Sequence, residues 1–418
     1  MTETSSFTWL DYSEHERRQV MEFVDQFSDD ETRDELGLGT IRDGFADLLF
    51  PGTSTIQTRA RYFLFVPWVC LELERKKTPG RLMADRTRTQ QGRLRNALIT
   101  GGEVIGVIGY QAGLHIKRLP SSVYWYGLRR WGILRFDGTE EDYQRSVDSF
   151  YDCRGAIPTA DGGESADVPP SNWDAHLAPL FDAVNKERPT EDWSSQVSFA
   201  LSRAESEYLY QRIAATAPQS LLAHLLTTRQ VIADHQRFAW DVPYEVGLPP
   251  QLAEQLLHAR NFSEIMHGAA LVYNLLLAEQ HLTGKFIPRY RKELRDWWKI
   301  VEGRRAALEN WARRRFWRLL QDCNARVGRA RRFVDDWMDL TLSASSLTDI
   351  ADSAAARRLV TDREQAIKPG RARIGAPETT EKWAGSSGSA QLNYRWNRPV
   401  RAIVNDILKP MLDEDHNA

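Results

Sequence analysis

Apolar side chains recur at three- and four-residue spacing along most of the chain, the period of helices with one buried face. Ser13-Glu14-His15-Glu16 forms a capping box ahead of Val20, Phe23, Val24 and Phe27. Thr40 can cap a short helix with Ile41, Phe45, Leu48 and Leu49 on one side, stopped by Pro51-Gly52. The apolar run 56–73 contains Pro67, which predicts a helix kinked or divided there. Thr139 opens another helix through Phe150. Residues 154–172 then collect Gly, Pro, Ser and Asp with almost no apolar side chain, the composition of a linker. Ser202-Arg203-Ala204-Glu205 is a second capping box, before Tyr208, Leu209 and Ile213. Ser263 can cap 264–279, which is apolar nearly all round and so predicted to be central. Trp-rich amphipathic helices fill 289–342, a loop is expected at 376–389, and 400–412 closes the chain as a helix.

Strand signals are few, the clearest at 132–136. The pattern therefore predicts a mainly α, multi-helical fold with few short strands. It divides into an N-terminal helical domain 1–152, a linker 153–173, a helical domain 174–345 and a C-terminal helical segment 346–418.

Composition adds that the chain can bury a core: of 418 residues 42% are hydrophobic. With 55 basic and 57 acidic residues the net charge of −2 says nothing about partners, but its distribution does. Residues 1–48 carry 13 acidic and 4 basic side chains, whereas 285–336 carry 16 basic and 7 acidic, so a basic face is available. The three cysteines are dispersed and support neither a disulfide framework nor a zinc ribbon. No apolar run approaches the ~20 residues of a membrane span, and the polar, acidic N-terminus is unlike a secretory signal, so no membrane partner and a cytoplasmic location are expected.

Three constellations could carry chemistry. In the first, an apolar helix at 104–110 leads through Ala112-Gly113 to Leu119-Pro120-Ser121-Ser122, where Ser121 or Ser122 would cap a helix to Trp131. The expected short strand and the Asp137-Gly138 turn follow, giving the order of a winged helix-turn-helix-like segment. Lys117, Ser121, Ser122, Tyr124, Trp125 and Arg129 would then face DNA, hydroxyls and cations on phosphates and aromatics as wedges. The alternative is an ordinary helical hairpin with its aromatics in the core.

The second is 43–62. Asp43 and Asp47 are four apart and share a helix face. Thr53, Ser54 and Thr55 could cap the next helix and hold a phosphate, with Gln57, Arg59 and Arg61 beside them. A carboxylate next to an anion grip suits hydrolysis at a sugar, by activating water or stabilising an oxocarbenium ion, so Asp47 and Asp43 are the candidate catalytic acids. The alternative is a well-capped loop with two surface ion pairs. The third interleaves cations and aromatics at Arg371, Arg373, Tyr394, Arg395 and Trp396, which suits single strands or flipped bases, or else a docked tail helix. No phosphate-binding loop, dinucleotide fold signature or metal-ligand spacing is found, so no cofactor and no metal are expected.

The stretch Leu49-Phe50-Pro51-Gly52-Thr53-Ser54-Thr55-Ile56-Gln57-Thr58-Arg59-Ala60-Arg61-Tyr62-Phe63, with 119–132 and Tyr394-Arg395-Trp396, resembles a bacterial family of unknown function, over most of the chain from Trp9 to the final helix. Its members are similar to proteins of phage-defence neighbourhoods, among them a DNA glycosylase that removes glucosylated hydroxymethylcytosine. The resemblance implies base flipping, release of a modified cytosine from double-stranded phage DNA, an abasic product, and defence-system partner proteins. A non-catalytic DNA-binding module and a nuclease are the other two readings.

Overall fold

The computed structural model describes residues 34–110, 118–155, 171–187, 194, 197–281, 284–323, 327–376, 378 and 383–413. The expected capping box at 13–16, Lys117 and most of the 154–172 linker lie outside them. The described chain is mainly α: α1 Gly39–Leu49, α2 Tyr62–Arg75, α3 Gly80–Thr100, α4 Pro120–Arg130, α5 Glu140–Gly155, α6 Leu177–Glu187, α7 Arg203–Thr216, α8 Leu221–Thr227, α9 Pro250–Gln280, α10 Ile287–Glu309, α11 Arg313–Asp322, α12 Gly328–Ser343, α13 Thr348–Ala351, α14 Ala354–Ile367 and α15 Arg401–Asp413. Among the described residues no helix is long and apolar enough to cross a membrane.

The chain forms two compact units, and each is assembled from separated stretches rather than from successive domains. One contains 34–44 and 258–392, the other 45–257 and 393–413. The chain crosses between the units inside α1, inside α9 and in the non-helical stretch at 392–393.

The larger unit is built round α2. Eleven of its residues, from Tyr62 to Leu73, are buried, because nearly every position is apolar. Pro67 lies inside this helix, so of the two expected outcomes, a kink or a division, the division does not occur; packing on all sides holds the turn that lacks one N–H. α3 and α4 pack on α2, α5 lies on α3 and α4, and α15 lies on α7 and α8. The Ser202 capping box forms as expected. Gly127 of α4 lets that helix approach the 50–62 loop, since a Cβ there would stand 2.3 Å from the Gly52 carbonyl.

The smaller unit is built round the apolar part of α9, with Phe262, Ile265, Met266, Ala269, Leu271 and Val272 buried. Trp297 of α10 and Trp337 of α12 donate Nε1–H to the Glu264 and Ile265 carbonyls, so both indoles are satisfied inside. Ser263 does not cap a helix; it lies within α9 and its hydroxyl bonds the Leu392 carbonyl. Nor does Thr40 cap α1. Asp34 does, accepting the Leu38 and Gly39 N–H groups at 2.6 and 2.8 Å.

The winged helix-turn-helix-like segment is not formed. Residues 104–110 are turns instead of a helix, because Gly106 and Gly109 sit at φ of +93° and +77°. The expected strand at 132–136 reduces to one isolated bridge, Leu134 to Trp173, and no strand occurs among the described residues.

Candidate nucleic-acid interface

The expected phosphate grip at 53–58 is a self-satisfied loop. The Thr53 hydroxyl donates to the Phe50 carbonyl, Gln57 Nε2 donates to the Gly52 carbonyl at 3.2 Å, and Gln57 Oε1 accepts the Ser54 N–H. Thr53 and Gln57 are buried, and α2 begins only at Tyr62, so neither Thr53, Ser54 nor Thr55 caps it. Arg59 is spent on Asp406, with Nε at 2.9 Å and Nη2 at 2.8 Å, and lies over the Phe199 ring. Arg61 donates to Glu205 and to the Ser198 carbonyl. These side chains lock the loop to α7 and α15 and are not available to a ligand.

The residues expected to face DNA on α4 divide by helical phase. Tyr124 is fully buried; its hydroxyl accepts the Thr58 and Arg59 N–H groups and donates to the Arg59 carbonyl. Trp125 is buried and donates to the Gly138 carbonyl. Ser121 is buried and does not cap the helix; Leu119 occupies the cap position and Pro120 follows it. Ser122 bonds back to the Leu119 carbonyl. Tyr394 and Trp396 are likewise core residues, Trp396 donating to the Gln236 carbonyl at 2.8 Å, so neither can stack on a base. In the other unit Arg371 is exposed, and Arg373 bonds Glu35 and Ser387.

What remains on the surface of the larger unit is an open groove of about 370 Å³ lined by Tyr126, Arg129, Arg130, Leu134, Arg135, Phe136 and Asp137. Tyr126 is 53% exposed, a large aromatic open to solvent. Arg129 pairs with Asp137 and Arg135 with the buried Asp174, while Arg130 has no carboxylate partner among the described residues. Burial raises the Tyr126 hydroxyl above its ordinary value. The charge of Asp47 adds to this, and Arg130 and Arg395 oppose it, so all three charges lie within electrostatic range of the hydroxyl.

Asp137 is the carboxylate in the groove lining; Asp47 is not part of that lining but lies within electrostatic range of the Tyr126 hydroxyl. Asp47 Oδ1 accepts from Arg395 Nη1 at 2.7 Å, and the same nitrogen reaches the Thr53 carbonyl at 2.7 Å. Asp47 is about half exposed and Arg395 nearly buried, so the guanidinium is the fixed partner. Asp43, the other candidate acid, bonds only the neighbouring Arg42. The sequence missed Tyr126. Its phase on α4, two positions after Tyr124 and one before the tightly packed Gly127, was the available signal. Among the described residues no group of His, Cys, Asp and Glu is placed to hold a metal ion.

An exposed aromatic, three arginines and one oriented carboxylate can together grip a phosphate backbone, stack one base and stabilise positive charge on a sugar. Neither a curated protein nor a solved structure matches the chain. A family model matches it over residues 4–152 and 155–406. The chain thus belongs to a family of unknown function (DUF6361).

Proposed function

We propose that this protein is a DNA glycosylase, which binds DNA along the Tyr126–Arg135 groove and hydrolyses the N-glycosidic bond of a modified cytosine, with Asp47 as the catalytic carboxylate. The observation that carries this reading is the Asp47 carboxylate held by the nearly buried Arg395, within electrostatic range of the exposed Tyr126. Arg129, Arg130 and Arg135 neutralise phosphates, and Tyr126 stacks on the extruded base or fills its place. As the bond breaks, positive charge grows on the sugar and the fixed carboxylate opposes it or orders the attacking water. The groove is open, so a bulky base such as glucosylated hydroxymethylcytosine can enter without rearrangement.

That same openness favours a second reading, a DNA-binding module without chemistry, because the groove excludes little water. The purified protein should be incubated with DNA carrying glucosylated hydroxymethylcytosine, and the small molecules released identified by mass. Free base with an intact backbone supports the glycosylase. Binding without release supports the module, and strand cuts without base release would mean a nuclease.

A further inference from the structure

The smaller unit contains a buried polar network that the groove does not use. Glu35, 8% exposed, contacts Lys368 Nζ and the Ser387 hydroxyl, and accepts from Arg373 Nη1 at 3.3 Å and the Tyr273 hydroxyl at 3.4 Å. Glu364, fully buried, accepts the same Tyr273 hydroxyl at 2.8 Å and the Arg373 and Ile374 backbone N–H groups at 3.1 and 3.0 Å. Asn274 clamps the Ser387 backbone from both sides, at 2.9 Å each way. Two carboxylates, two cations, a phenol and a hydroxyl are therefore held in one geometry. A cavity of about 40 Å³ opens against Glu35 and Tyr273, with His267 and Arg42 on its wall. Such a volume holds about two waters.

Lys368 stands out in this network. It follows α14 directly, lies over the Tyr273 ring at 5.9 Å, and keeps 22% of its side chain open to solvent. Burial, then the charge of Arg373, pushes its amine down to about 8, with Asp34 pulling the other way and Arg371 adding to the fall. Glu35, already committed to Arg373, Ser387 and Tyr273, is the base in contact with that amine. A desolvated lysine beside another cation is the usual arrangement for attack on a carbonyl.

We propose that Lys368 is an imine-forming nucleophile for an aldehyde substrate and that Glu35 is its proton acceptor. The choice of aldehyde rests on the proposed function: the open-chain form of an abasic site, the product of base release, carries an aldehyde at C1′. Lys368 gives a proton to Glu35, and its free nitrogen adds to C1′. The carbinolamine loses water to leave an iminium ion. A carboxylate then removes the C2′ proton, and the electron pair expels the 3′ phosphate as the C3′–O bond breaks. Water hydrolyses the imine, which returns the amine and releases an unsaturated aldehyde on the 5′ fragment. No oxidant or metal is needed. Arg371, exposed on the loop after Lys368, supplies charge for a flanking phosphate.

The full-length protein should be mixed with an oligonucleotide carrying a preformed abasic site, with and without cyanoborohydride. With the reductant, a covalent protein–DNA adduct is expected, and peptide mapping should place it on Lys368. Without it, the strand should be nicked on the 3′ side of the site. Lys368→Arg keeps the charge opposite Glu35 and should lose the adduct. Glu35→Gln, which removes the acceptor of the Lys368 proton, should trap DNA and nick it roughly 100-fold more slowly. An adduct mapped to other lysines, or no adduct above the Lys368→Arg background, overturns the proposal; wild-type mapping decides it even if a variant folds poorly. Because the abasic site is supplied, the result is independent of base release. Trapping without base release from modified DNA would remove the glycosylase reading and leave this one. Base release without trapping would do the reverse.

Discussion

Arg395 Nη1 lies 2.7 Å from Asp47 Oδ1, joining residues 348 positions apart in the chain. The backbone that presents the guanidinium is unusual. Tyr394 and Arg395 are consecutive non-glycine residues at φ of +55° and +70°. Each such residue costs about 1–3 kcal/mol and persists only where the surroundings impose it. Here the burial of Tyr394 and Trp396 on either side imposes it, with Tyr394 against Phe45 and Trp396 against Phe50.

Asp47→Asn should abolish base release and leave the fold intact. Losing a positioned carboxylate typically lowers rate ~10²–10⁴-fold, while the amide of the variant keeps an oxygen that can accept from the nearly buried Arg395. Release assayed beside a melting curve checks this, with Asp43→Asn expected to retain activity. Near-normal release by Asp47→Asn would end its catalytic assignment.

Tyr126 and Tyr124, two positions apart on one helix, should separate binding from stability. Tyr126→Ala should weaken DNA binding by about 1–3 kcal/mol, the contribution of one stacked base, with little change in melting. Tyr124→Phe should leave DNA binding alone. It strips the Thr58 and Arg59 N–H groups of their acceptor, at a cost of about 1–3 kcal/mol in urea unfolding.

Arg130→Ala and Arg135→Ala should each flatten the salt dependence of duplex binding by about 0.9 in the slope of log affinity against log salt, one phosphate apiece. Fluorescence anisotropy from 50 to 300 mM salt, about the usual range for such titrations, reads this slope directly. Unchanged slopes in both variants would place DNA elsewhere on the molecule.

Asp406→Ala should destabilise the 50–62 loop. Its carboxylate accepts both Arg59 donors and the Ala60 N–H at 3.0 Å, and removing it strands a largely buried guanidinium. A loss of at least about 2 kcal/mol is expected. Chemical denaturation with Asp406→Asn as the milder companion measures it.

Burial lowers His224 below its ordinary imidazole value, with a backbone hydrogen bond to Gly247 opposing. The unfolded chain therefore binds more protons near pH 6 than the folded one. Stability from this group is present above the ordinary imidazole value of 6.5 and declines as pH falls through the lowered folded value. Its slope cannot exceed about 1.4 kcal/mol per pH unit, one proton's worth. Unfolding free energies from pH 7.5 down to 5, about the span in which histidine titrates, should show the decline in wild type. His224→Gln should flatten it.

Helical periodicity alone determined that the fold is mainly α, and that α5, α7, α10, α11, α12 and α15 exist near the predicted places. Two of them, α5 and α7, begin on local signals, Thr139 and the Ser202 box, whose cause lies within a few residues. Where the deciding group came from far away, the sequence misled. Ser263 has the chemistry of a cap, but continuous burial carries α9 past it. Pro67 has the chemistry of a break, but packing on all sides of α2 overrides one missing hydrogen bond. The two-unit division was illegible because two of its three boundaries lie inside helices.

The same distinction governs the site. Asp47, Arg129 and Arg395 could be named as candidates from residue type, because charge and hydrogen-bonding capacity belong to the side chain itself. Which of the neighbouring aromatics meets solvent is a property of rotation about α4 and of what packs on it. Tyr124, Trp125, Tyr394 and Trp396 went to the core and Tyr126 did not. Local sequence states what a side chain can do. Only the packing of segments hundreds of residues apart decides whether water, a carbonyl or an arginine stands beside it, because desolvation is set by every neighbour at once.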